Sequence, residues 1–265
     1  MDKAFDFGEN WSDYSRHALT PERFAQARRD FKALLTPAAP LAGKTYLDIG
    51  FGQGLGTISA GLEDAELYGV DINPKCRDVL MRNAAALVPD ADLAPQVIVG
   101  SILDPDVVAA LGQWQPRGYD IVHSWGVLHH TGEMWTAIEN AISLVKPDGV
   151  FVLAIYNTHW SSSAWTVIKR AYVWSPKWLQ KIMNAFFVPV IYLAKLIVTR
   201  RNPLAKDRGM DFYYDVVDWI GGYPYEHASR DEIASFLAKH DFELVKFNAA
   251  EVPTGCNEFV FRKAA

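Results

Sequence analysis

The stretch Tyr46-Leu47-Asp48-Ile49-Gly50-Phe51-Gly52-Gln53-Gly54 reads as an apolar strand that ends in an acid and then in three alternating glycines. About one βα unit later, Tyr68-Gly69-Val70-Asp71 reads as a second short strand ending in another acid. Alternating glycines let a backbone pass close to a bound molecule. An acid at the end of the second strand is placed to accept hydrogen bonds from both hydroxyls of a ribose. Together the two features suit a nucleoside ligand without phosphates. A tight βα turn with no ligand is the plainer alternative; three glycines and a matching second acid seldom coincide in such a turn.

A dinucleotide fold is the nearest competitor, and spacing argues against it. Its fingerprint is Gly-x-Gly-x-x-Gly. Counted from Gly50, the third glycine falls on Leu55; counted from Gly52, it falls on Thr57. Asp48 would also set a carboxylate near a pyrophosphate, where like charges repel. The ammonium and sulfonium of S-adenosylmethionine (SAM) are cations and tolerate it. The expected ligand is therefore SAM, with Asp48, Gly50, Gly52, Gly54, Asp71 and Ile72 on its side of the fold.

The chain has 265 residues, 50% of them hydrophobic, enough for one large α/β domain with an insertion. A net charge of −5 and a pI near 5.8 argue against general nucleic-acid binding. Cys76 and Cys256 have no C-x-x-C spacing, so neither a zinc site nor a disulfide framework is indicated. The first residues lack a basic region followed by an apolar one, so no signal peptide is expected, and a reducing cytoplasm is the expected location.

Thr20-Pro21-Glu22 is a helix start, with a hydroxyl cap, proline in the first turn and an acid behind it. Phe24, Ala27 and Phe31 carry that helix to about residue 35. Strands are expected at 45–49, 67–70, 96–99, 119–124 and 150–155, with helices at 54–62, 73–87, 104–111 and 135–145 between them. This alternation argues a doubly wound, mostly parallel sheet. A helix at 231–240 and strands at 243–247 and 258–262 bring the strand count to seven. The expected organisation is a helical cap over 1–40, a SAM-binding core over 41–156, an aromatic and basic helical lid insertion over 157–228, and a C-terminal helix and strands over 229–265 that complete the sheet.

Ligands of such sheets bind at the carboxyl ends of the strands. After strand three, Ser101, Asp104 or the backbone of Ile102 could read an adenine, or the segment could be a solvated loop. After strand four comes Ser124-Trp125-Gly126-Val127-Leu128-His129-His130-Thr131-Gly132, where the methionine end and the methyl acceptor must meet. Ser124 and Trp125 are assigned to the cofactor. Histidine is the side chain most easily used as a base near neutral pH, so His129 or His130 could take the acceptor proton; both could equally be structural. Adjacent histidines are expected to point apart, and no third ligand is evident, so no metal is expected. Tyr156 and Asn157 follow strand five at the same rim, where they could hold the acceptor or a histidine, or simply cap the strand end; Tyr156 is counted with His129 and His130 as a candidate catalytic residue.

The insertion holds five of the nine tryptophans. Its basic residues include Lys169, Arg170, Lys177, Lys181, Lys195, Arg200, Arg201, Lys206 and Arg208, and an apolar run covers 182–199. Three readings stay open: a lid packed on the domain or on a second subunit, an amphipathic segment on a membrane surface through 169–208, and a poor membrane span. Asp218, Tyr223 and Tyr225, with Arg208, are expected to wall the acceptor site opposite Tyr156 and His130, because Gly221-Gly222 among aromatics marks a bend or a close approach.

The run from Leu47 to Gly54, Asp71, Tyr119-Asp120-Ile121-Val122, Val127-Leu128-His129-His130 and Leu144-Val145-Lys146-Pro147-Asp148-Gly149 resemble the successive motifs of class I SAM-dependent methyltransferases. They are similar to the ubiquinone-biosynthesis-like branch. The resemblance implies the Rossmann-like methyltransferase fold and SAM as cofactor. It leaves the acceptor open. Ser101 stands where many such enzymes have an acid. The expected activity is methyl transfer to a small molecule, at a hydroxyl or other heteroatom, by in-line displacement at the sulfonium methyl. The rivals are a protein or RNA acceptor, and a non-catalytic SAM-binding partner.

Overall fold

The computed structural model describes residues 14–204 and 211–265. Arg208 and Lys206 therefore lie outside the described residues. Seven strands form one sheet: β1 (Thr45–Ile49), β2 (Glu66–Asp71), β3 (Gln96–Val99), β4 (Tyr119–Trp125), β5 (Val145–Tyr156), β6 (Phe242–Asn248) and β7 (Cys256–Lys263). Their order is β3-β2-β1-β4-β5-β7-β6. β1 to β5 run parallel, and β7 lies antiparallel between β5 and β6.

Parallel strands joined by helical crossovers are covered on both faces, and the side chains of β1 divide accordingly. Tyr46 turns to the face of α1 (Pro21–Leu34), where Phe31, Leu34, Ile121, Val152 and Val260 pack. Leu47 and Ile49 turn to the opposite face. There they meet α4 (Pro105–Trp114), α5 (Met134–Ser143) and α9 (Arg230–Ala238) through Leu111, Ile138 and Leu237. α2 (Leu55–Gly61) and α3 (Lys75–Leu87) pack with α1 through Leu55, Ile58, Leu80 and Phe24.

Helix boundaries follow local chemistry. Thr20 caps α1 by accepting from the Arg23 N–H. Asp104 caps α4, and Ser229 with Glu232 forms a reciprocal capping box at the start of α9. One expectation changes. Lys146-Pro147-Asp148-Gly149 does not precede β5 but bulges within it: Val145 pairs with Tyr119, and pairing resumes at Val150 with Ile121. Asp148 takes a left-handed φ of 58° to make the excursion.

Residues 162–221 supply three helices, α6 (Ser162–Trp174), α7 (Lys177–Thr199) and α8 (Phe212–Gly221). They share a small core of Tyr172, Val173, Ile191, Phe212, Val216 and Ile220. α7 runs through Pro189 without a break in assignment. Only Ile191 of α7 is buried, while Trp178, Ile182, Phe186, Val190, Leu193 and Ile197 form an exposed stripe at helical spacing. By length and hydropathy α7 could cross a membrane; the amphipathic stripe is the more specific property.

The turn from β1 into α2 depends on Gly54, which caps α2 at φ 80°. A Cβ there would stand 2.1 Å from Leu80 Cδ1. Gly54→Ala should therefore lower the unfolding free energy in urea by about 1–3 kcal/mol, the scale of a strained, overpacked substitution. An unchanged midpoint would contradict this packing.

Candidate active site

The glycine loop joins β1 to α2 at the carboxyl edge of the sheet. Gly50, Gly52 and Gly54 have φ of 73°, 53° and 80°, a region that favours glycine. Not all three serve a ligand. Gly50 is crowded by Val127 and Gly54 by Leu80, so two of them are needed for packing. Asp71, at the end of β2, accepts from the Gly52 N–H at 2.9 Å and from the Asn73 N–H at 2.8 Å. Burial raises its pKa, opposed by these hydrogen bonds. The Cys76 side chain also hydrogen-bonds to this carboxylate; with three of about four acceptor directions taken, one is left for a ribose hydroxyl. Asn83 of α3 steadies the loop by donating to the Gln53 carbonyl at 2.8 Å, a contact no sequence signal announced.

Asp48 is placed differently from expectation. Its carboxylate is buried beneath the loop, accepting from Thr57 at 2.8 Å and meeting His123 Nδ1 at 2.9 Å. It braces β1, β4 and α2 together. Ser124 is also fully buried, donating to the Ile49 carbonyl at 3.2 Å. Trp125 joins the core on the α1 side and donates to Glu258 at 3.1 Å, tying β4 to β7 across β5. These three residues shape the site rather than offering free polar groups to it.

Near β3, the Ser101 hydroxyl accepts from the Leu103 N–H at 3.1 Å, and Asp104 is occupied as the cap of α4. Ile102 is buried, its carbonyl taken by Asn140 at 2.9 Å. Ile72 is 72% exposed and offers an apolar face beside Asp71.

The histidine pair lies beyond Val127, whose side chain rests on Gly50, so the pair adjoins the glycine loop. The rings do not point apart. Their centroids are 4.4 Å from each other, and the His129 ring is 4.0 Å from that of Tyr156. His129 Nδ1 accepts from the Tyr156 backbone N–H at 3.3 Å. That nitrogen carries no proton, so Nε2 does; Nε2 is buried with no hydrogen-bond partner. His130 Nδ1 meets the Pro224 carbonyl at 2.7 Å and must be the donor there. Burial, with the neighbouring His130 and Lys169, pushes the His129 pKa well down, and burial beside Lys169 lowers His130 to about 3. Both rings are neutral at pH 7, and His129 presents a proton rather than a lone pair. The geometry therefore weighs against His129 as the base.

The segment after α8 is stitched to this rim. Glu226 N–H donates to the His129 carbonyl at 2.9 Å, and Ala228 N–H to the Tyr156 carbonyl at 3.0 Å. The Glu226 carboxylate accepts from the Met134 N–H at the start of α5. Gly222 is where His130 comes close: a Cβ there would lie 2.6 Å from its Cε1. Tyr225 stacks near Tyr156 at 5.2 Å, but Tyr223 packs on the core of the insertion instead. The place next to Tyr156 is taken by Trp219, at 5.0 Å.

Lys169 is a second departure. Counted among basic residues that could face a membrane, it is fully buried in α6. Its Nζ donates to the Trp219 carbonyl and lies 3.9, 4.6 and 5.4 Å from the ring centroids of Trp219, Tyr225 and Tyr156. Burial lowers its pKa to about 7, partly offset by Cys256 and Asp218. Helical spacing could have hinted at this, since Trp165, Lys169 and Tyr172 share one face of α6.

A family profile described as a methyltransferase domain matches residues 21–246. The ubiquinone biosynthesis O-methyltransferase of Paraburkholderia phytofirmans is 31% identical over 180 residues, covering 65% of this chain and 69% of that one. The protein of the same name from Rhodopseudomonas palustris (strain TIE-1) is 26% identical over 204 residues, covering 71% and 76%. Among solved structures, magnesium protoporphyrin IX methyltransferase from Synechocystis PCC 6803 with bound SAH matches with a TM-score of 0.55 at 16% identity, over 92% of this chain and 84% of that chain. The last likeness speaks to the fold.

Two outcomes test the site. Asp71→Ala should weaken S-adenosylhomocysteine binding by about 1–3 kcal/mol in calorimetry, the scale of a lost charge-assisted pair; unchanged affinity would remove Asp71 from the ribose. His130 titrates at 6.5 when unperturbed and at about 3 in the folded chain. The unfolded chain then takes the proton first, so the His130 contribution to stability is level above about pH 6.5 and declines as the pH falls below it. Urea titrations should show this decline, with a shallower slope in His130→Gln. Equal slopes would mean that His130 is not held neutral.

Proposed function

We propose, from the premise that this chain belongs to the methyltransferase domain family, that it methylates an oxygen of a flat, largely apolar small molecule. Family membership makes it a SAM-dependent methyltransferase. When bound, SAM supplies a methyl group activated by its sulfonium. The residues that would hold it are Asp71 at the ribose, the backbone around Gly52 and the apolar face of Ile72. The loop fits that role because its backbone is left-handed where the acid meets it.

One observation carries the acceptor class: the aromatic cluster of Tyr156, Trp219 and Tyr225 at the rim that carries the histidine pair. The three rings touch, with centroids 5.0 to 5.8 Å apart, and the half-buried Tyr156 and Trp219 offer flat apolar faces to a planar molecule. Oxygen as the target is taken over from the relatives named ubiquinone biosynthesis O-methyltransferase. Ring faces half-buried under the insertion are poorly suited to a protein or RNA acceptor. The chain's contribution is alignment of acceptor and methyl, which accounts for much of the barrier in a displacement with a neutral leaving group.

An apolar acceptor also gives the outer stripe of α7 a purpose. Residues 157–204 contain seven Lys or Arg and no acid; Lys169 is buried and Lys195 pairs with Asp215, which leaves Arg170, Lys177, Lys181, Arg200 and Arg201. Apolar stripe and basic flanks together suit the surface of an anionic bilayer, from which such an acceptor would be drawn.

Tritiated SAM with fractionated cell extract should label a lipophilic product in the wild type. Trp219→Ala should cut labelling by about 10-fold or more while leaving S-adenosylhomocysteine affinity within a few-fold. Label confined to protein or RNA would overturn the acceptor class. Vesicles containing phosphatidylglycerol should pull the chain down in sedimentation, and Phe186→Glu with Val190→Glu should abolish this. Vesicle binding that survives both changes, or a dimer that buries the stripe, would overturn the membrane contact.

A further inference from the structure

Resting on the methyltransferase reading, the buried lysine of the insertion points to the acceptor's chemistry. A fully buried amine is costly unless paired, yet Lys169 touches a carbonyl and three ring faces, and Asp218 and Cys256 act on it through charge without an ion pair. No carboxylate forms an ion pair with it among the described residues. Beside it, in the same ring cluster, His129 Nε2–H is a buried donor without an acceptor. One unsatisfied donor, His129 Nε2–H, and an amine held only by a backbone carbonyl thus adjoin the rings of Tyr156, Trp219 and Tyr225. Such a place is complementary to a planar molecule bearing an anionic oxygen.

We propose that Lys169 takes the proton from the acceptor, and that the acceptor is a phenol or enol held as its anion between Lys169 and His129. The O–H bond breaks, its proton forms an N–H bond with the Nζ lone pair, and the oxygen keeps the electron pair. That oxygen then attacks the sulfonium methyl carbon while the carbon–sulfur pair stays on sulfur, and the ammonium returns its proton to water after product leaves. The titratable groups facing Lys169 are Tyr156 of β5, Tyr225, His129 and His130, Cys256 of β7 and Asp218 of α8. Burial holds the two histidines neutral and pushes the Tyr156 and Tyr225 hydroxyls up, Tyr225 to about 12, so none of these four competes for the proton at pH 7. With its own pKa lowered to about 7, a good share of Lys169 is free amine at neutral pH. An amine ionises phenols and enols but not aliphatic alcohols, which are far weaker acids, and the ring faces and the free His129 Nε2–H beside it suit a planar anion.

The test uses the full chain loaded with S-adenosylhomocysteine and 4-nitrophenol as probe, because the nitrophenolate ion absorbs in the visible and the neutral phenol does not. At a pH below the phenol's own pKa, binding to the wild type should produce the phenolate band. Lys169→Met should lose the band and weaken nitrophenol binding about tenfold or more, with S-adenosylhomocysteine affinity unchanged. If Lys169→Met fails to bind S-adenosylhomocysteine, Lys169→Gln decides: its amide keeps a polar side chain but cannot take the proton, so the band must be lost. A probe bound by the wild type as neutral phenol, no binding at all, or a band that persists in a folded Lys169→Met or Lys169→Gln would each overturn the proposal. Failure of the wild type to bind S-adenosylhomocysteine would instead strike the methyltransferase reading beneath it.

Discussion

The hydrogen bond from the Gly52 N–H to the Asp71 carboxylate, 2.9 Å long, is the contact around which the site is organised. It ties the end of β2 to the loop leaving β1, and so fixes the left-handed path of the glycines. That path needs room on two sides. Val127 closes against Gly50 and Leu80 against Gly54. Val127 in turn begins the turn that carries His129 and His130, so the loop and the histidine rim are set by one packing arrangement. Beneath it, Asp48, Thr57 and His123 lock β1, α2 and β4 together from inside.

The other half of the site comes from outside the alternating core. α6 and α8 bring Lys169 and Trp219 over the carboxyl ends of β4 and β5, and the segment after α8 is fastened there by backbone hydrogen bonds from Glu226 and Ala228. Cation–π contacts with three rings offset part of the cost of burying Lys169. They leave it without a counter-ion among the described residues, so the cluster is electrostatically incomplete in the way a binding site is.

The core was legible because its signals are local. Thr20-Pro21 starts a helix, alternating apolar runs make strands, and Gly50 to Gly54 with Asp71 mark the loop. The antiparallel placement of β7 between β5 and β6 depends on long-range pairing and left no local trace. In the site, Tyr225 and Tyr156 come together as the aromatic pattern suggested, and Gly222 admits His130. Tyr223 packs on the core of the insertion, and Trp219, to which the sequence assigned no role, lies beside Tyr156. Lys169 was unreadable as a buried residue, since a lysine in a basic segment looks solvated until α6 is seen packed on α8. Asp48 was misjudged for a related reason: the carboxylate faces α2 and His123, a contact between residues 75 positions apart.

The most direct measurement is a crystal structure with S-adenosylhomocysteine bound. The account predicts a ribose hydroxyl on Asp71 and the sulfur facing the cluster of Tyr156, Trp219 and Lys169. A sulfur directed away from that cluster, with the rings serving only to pack the insertion, would contradict it.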